Sequence, residues 1–107
     1  MFVLVVRCYG DFDESYEEIV CCSKDKRMIH SIEKSLNRFC SEHPKVEQDV
    51  SLKVEFENPK SDLFTTISEV VDEEIAIKIY SKLEEICNAC SVYIYGDIFS
   101  VKTILNI

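Results

Sequence analysis

The chain has 107 residues, 47% hydrophobic and 30% charged, with a formal net charge of −8. That length suits one ordinary domain able to bury a core without staples. The acid excess argues against general binding to nucleic acid or to anionic membranes, which require a surplus of Lys and Arg. Two Gly and two Pro leave little room for linkers or for loops that cradle phosphate.

Phe2–Tyr9 is a near-continuous apolar run rich in Val, which predicts a strand covered on both faces. Met1–Val6 is too short for a signal-peptide core and has no basic region before it, so the chain is expected inside the cell, in the cytoplasm. No apolar run approaches the roughly 20 residues that span a bilayer. Residues 10–15 (GDFDES) are turn chemistry, and the strand that follows is expected to pair back as a hairpin. In that strand Tyr16, Glu18, Val20 and Cys22 alternate with Glu17, Ile19 and Cys21. Ser23 stands where an N-cap belongs. Met28, Ile29, Ile32, Leu36, Phe39 and Cys40 then follow at helical spacing, and Pro44 closes that helix.

After a connector at residues 45–49, Val50, Leu52, Val54 and Phe56 alternate with Ser51, Lys53, Glu55 and Glu57, which predicts a strand with one dry face. Residues 58–62 read as a turn. Residues 63–71 fit either a helix (Leu63, Phe64, Ile67, Val70, Val71) or a β-branched strand, and the strand is favoured because Asp72-Glu73-Glu74 looks like a new helix start. Ile75, Ala76, Ile79, Tyr80, Leu83, Ile86, Cys87 and Cys90 trace one face of that helix. Residues 91–95, a Gly96-Asp97 turn and residues 98–107 predict a last hairpin. Phe99, Val101, Leu105 and Ile107 fall on one side of it, and Ile98 and Ile104 on the other. The expected fold is α+β: a largely antiparallel sheet of about six strands with two helices packed on one face, in the order ββα-ββα-ββ. The other sheet face would then be either solvated or covered, as in a homodimer.

Charge is unevenly spread. Residues 24–38 hold Lys24, Lys26, Arg27, Lys34 and Arg38 against Asp25 and Glu33, a net +3, leaving −11 elsewhere. Asp11, Asp13, Glu14, Glu17 and Glu18 form one acidic group, and Glu55, Glu57, Asp62, Glu69, Asp72, Glu73 and Glu74 form a second relieved only by Lys60. Carboxylates this dense repel one another, and one use for them is to imitate a phosphate backbone before a protein that grips nucleic acid. The competing explanation is an ordinary solvated surface.

Other chemistry is thinly supported. Cys40-Ser-Glu-His43 and Cys87-Asn-Ala-Cys90 supply four zinc-type ligands in two pairs, but Cys87 and Cys90 also continue the apolar stripe. The Asp11-to-Glu17 run lacks the spacing of a calcium loop. His30 and His43 are the only histidines, no nucleophile elbow is present, and no cofactor motif is read, so the expectation is a protein without catalytic activity. Six cysteines in a chain with an adequate core are expected to be reduced core residues.

In composition the chain resembles the small acidic inhibitors carried by phages and mobile elements, including anti-restriction and anti-CRISPR proteins. The likeness lies in size and charge and carries no motif. It implies a viral protein acting in the host cytoplasm by contact with a basic protein partner, a nucleic-acid-binding enzyme among the candidates, without touching nucleic acid or membrane itself. A small regulatory ligand-binding or dimeric scaffold domain is the alternative, and a zinc-stabilised module a third.

Overall fold

A computed structural model describes residues 1–9, 15–42, 52–57, 62–89 and 99–104. Three strands and four helices follow in chain order: β1 (Phe2–Tyr9), β2 (Ser15–Ser23), α1 (Lys26–Glu42), α2 (Lys53–Glu57), α3 (Leu63–Ser68), α4 (Glu73–Ala89) and β3 (Phe99–Thr103). The strands form one antiparallel sheet in the order β2-β1-β3, so the most apolar strand lies at the centre.

Alternation along β1 separates two environments. Leu4, Val6 and Cys8 point toward the helices and join a single core cluster with Ile29, Ile32, Leu36 and Phe39 of α1 and Ile79, Leu83 and Ile86 of α4. Helix α1 touches all three strands, whereas α4 contacts β2 and braces α3 and α2. On the opposite face Val3 and Val5 are only 3% and 5% exposed, although among the described residues no helix packs over them. The register places one ion pair on this face. Lys102 stands opposite Val3, Glu17 stands opposite Arg7, and the two form an ion pair that crosses β1 diagonally over Val5.

Strand β2 does not keep strict alternation. The register shifts between Leu4 and Val5, so Leu4 pairs with Cys21 while Val5 pairs with Ile19. Val20 is the extra residue of a bulge. Val20 and Cys21 consequently both serve the helix side, and Cys22 is exposed rather than grouped with Val20.

Helix α1 starts two residues later than Ser23 suggests. The Asp25 side chain is the cap, accepting from the Met28 N–H at 3.1 Å, and the Ser23 hydroxyl accepts from the Asp25 N–H at 2.9 Å. Helix α4 begins as expected, the Ile75 N–H donating to Asp72 Oδ1 at 3.0 Å.

Two segments read as strands are helical. In α2 the alternating residues fold into a short turn of helix, with Leu52 and Glu55 buried and Phe56 half-buried. Positions 52, 55 and 56 match helical spacing as well as alternation does, so five residues could not separate the two. Segment 63–68 is helix α3, with Leu63 and Ile67 buried one turn apart. Burial of that pair outweighs the β-branched propensity. An aromatic group then ties the three helices together: the Tyr80 ring lies 4.9 Å from Phe56 and 5.5 Å from Phe64, edge-on to the latter. The described residues thus form a mixed α+β fold in the order ββαααα-β with three strands, and they do not bear out six strands or the order ββα-ββα-ββ. The predicted strand at 91–95, its turn and residues 105–107 lie outside the described residues. Among the described residues no helix is long and apolar enough to cross a membrane.

Candidate functional site

Of the first acidic group, Asp11, Asp13 and Glu14 lie outside the described residues. Glu17 pairs with Lys102 on the sheet face away from the helices. Glu18 is half-buried and lines a cleft of about 200 Å³ with Tyr16, Lys82, Glu85, Ile86 and Ala89.

The second group separates by role. Glu55 is only 6% exposed, so it belongs to the interior and not to a partner surface. Its charge adds to burial in pushing the Cys40 thiol up to about 12. Burial first, then Glu84 and Glu55, raises the Tyr80 phenol. Asp72 is the cap of α4. Glu57, Asp62, Glu69, Glu73 and Glu74 are exposed.

Helical geometry extends this exposed set. Successive residues rotate by about 100°, so Glu73, Ile77, Ser81, Glu84 and Asn88 form one outward ridge of α4, flanked by Glu74 and Glu85. Each of them is exposed, Ile77 to 50%. Lys78 pairs with Glu74 at 3.7 Å and Lys82 with Glu85 at 3.6 Å, both largely in solvent and therefore weak. Glu84, Glu85 and Ile77 were absent from the sequence-derived set. The periodicity that assigns the buried face of this helix assigns its outward face equally, and that was the available signal.

The basic counterpart is α1. Its outward side presents exposed Arg27, Lys34 and Arg38, while Lys26 sits 6.0 Å from the centre of the Phe2 ring. His30 Nδ1 lies 3.2 Å from Glu33 Oε1. Between α1 and β3 runs a groove of about 590 Å³ lined by Glu33, Lys34, Asn37, Arg38, Ser41, Phe99 and Ser100.

Cys40 and Cys87 are buried in the core cluster, whereas His43 and Cys90 lie outside the described residues. Among the described residues no three metal-type side chains come together. No disulfide joins two described cysteines, and burial, then Cys22, raises the Cys21 thiol to about 11. Comparison with protein-family models, with curated proteins and with solved structures gave no match.

Proposed function

We propose that this chain is a non-catalytic protein-binding module that offers the acidic outward ridge of α4 to a basic partner, acting as an inhibitor of a nucleic-acid-handling protein in the manner of a phosphate-backbone mimic. One observation carries the reading. Glu73, Glu74, Glu84 and Glu85 stand exposed on one helix face around an exposed Ile77, answered among the described residues only by Lys78 and Lys82 in solvent-screened pairs. Carboxylates held along a rigid helix keep a fixed pattern of negative charge, which steers cationic surfaces toward it. Ile77 adds an apolar anchor at the centre, where binding energy concentrates once a polar rim excludes water. The exposed acids Glu57, Asp62 and Glu69 extend the same sign of field.

The test is capture of partners on the immobilised chain across a salt series, beside a variant with Glu73, Glu74, Glu84 and Glu85 changed to Lys. A specific nucleic-acid-handling partner should be retained by the wild type, released as ionic strength rises, and lost by the variant while its circular dichroism is unchanged. Retention of the same partner by the charge-reversed variant would remove the basis for this function. Ile77→Ala should weaken the same complex about tenfold or more through loss of the anchor.

A further inference from the structure

We propose that the outer edge of β3, with the basic side of α1 beside it, receives an acidic extended segment of another protein by strand addition. This surface is separate from the α4 ridge, since α4 contacts β2 at the far side of the sheet.

The register shows which backbone groups are offered. The Ile104 N–H donates to the Met1 carbonyl at 2.9 Å and the Met1 ammonium to the Ile104 carbonyl at 3.4 Å. Residue 104 therefore points its groups inward to β1, as do 102 and 100 by alternation, and residues 99, 101 and 103 point theirs outward. At Phe99 the outward pair is already satisfied by a side chain. Asn37 Nδ2 donates to the Phe99 carbonyl at 3.0 Å, and the Phe99 N–H donates to Asn37 Oδ1 at 3.0 Å. A primary amide thus stands where the peptide group of a fourth strand would stand. Among the described residues nothing equivalent meets the outward groups of Val101 and Thr103. Such an edge is a template for another strand.

Charge selects the occupant. Lys34 and Arg38 line the groove at the Phe99–Ser100 end of this edge. Of the nearby acids, Glu33 is engaged by His30, and Glu42 reaches Arg38 only at 4.0 Å with both side chains in solvent. A strand with Asp or Glu on its α1-facing side would meet these cations while its backbone meets Val101 and Thr103. A second copy fits poorly. Antiparallel pairing of two β3 edges through 101 and 103 would set Lys102 opposite Lys102 and bring two basic helices together, and like charges opposite one another destabilise a sheet.

The test uses the full chain, isotope-labelled, with a short peptide of alternating Thr and Glu and its Thr–Lys counterpart. The Glu peptide should shift and protect the Val101 and Thr103 amides and weaken with salt, and the Lys peptide should not bind. Thr103→Pro removes an outward donor while sparing the ladder to β1, a position where edge strands tolerate Pro. It should lower affinity about three- to tenfold. Lys34→Glu with Arg38→Glu, both exposed, should lower it about tenfold or more with the fold intact by circular dichroism. Equal binding by wild type and the charge-reversed variant would overturn the proposal. So would tighter binding of a single-stranded oligonucleotide at the same residues, or a wild-type dimer in sedimentation that Thr103→Pro dissociates, which would assign the edge to a second copy.

Discussion

Two side chains show how much a single position decides. Cys40 ends the apolar stripe of α1 and looks like a ligand in sequence, yet burial and the nearby Glu55 hold its thiol protonated up to about 12, from an ordinary 9.0. Its contribution to stability is complete below pH 9, where folded and unfolded chains both keep the proton. It is lost between about 9 and 12, because the unfolded chain then releases a proton that the folded chain retains. Stability against urea should fall across that range by up to about 1.4 kcal/mol per pH unit from this thiol. Cys40→Ala should flatten the slope, and equal slopes in the two proteins would contradict the assignment. Asn37 is the second case. It is half-buried, and both hydrogen bonds of its amide are spent on Phe99. Asn37→Ala should cost about 1–3 kcal/mol and raise hydrogen exchange at Phe99. A loss below a few tenths would mean that water replaces the clamp at no cost.

At the scale of elements, the long amphipathic helices were the readable ones. Seventeen-residue α1 and α4 repeat their apolar stripe often enough that only one period fits. The short pieces α2 and α3 hold five and six residues, less than two turns, and there alternation and helical spacing overlap. What separates them is contact across the fold, Phe56 and Phe64 meeting the ring of Tyr80. Helix starts are set more locally. Asp72→Ala should destabilise the protein by about 1 kcal/mol through loss of the α4 cap, whereas Glu73→Gln should cost less, since its carboxylate meets only the dipole end. Equal melting temperatures for wild type and Asp72→Ala would show that the cap geometry contributes nothing.

Over the whole molecule the governing quantity is net charge. At −8 the chain repels itself, and the ion pairs among the described residues are mostly exposed and spaced along single helices. Salt should therefore stabilise it. Raising ionic strength from 0.01 M to 1 M contracts the Debye length from about 30 Å to about 3 Å. The melting temperature should rise by about 4–8 °C, corresponding to on the order of 1 kcal/mol. A fall would mean that the paired charges, chiefly Lys102 with Glu17 over Val5, outweigh the repulsion. The opposed surfaces, acidic on α4 and basic on α1, also explain why net charge alone was an incomplete guide to partners.

Local pattern alone determined the central apolar strand, the hairpin to β2, the two long helices with their buried faces, and the cap at Asp72. These depend on neighbours a few residues apart, whose periodicity is written in the chain. Tertiary structure decided the rest: that 52–57 and 63–68 are helices, that a bulge at Val20 exposes Cys22, that Glu55 is interior, and that Asn37 meets the edge of β3. Each of those turns on which distant groups arrive beside a residue, because burial and hydrogen bonding are properties of the folded neighbourhood and override weak local preference.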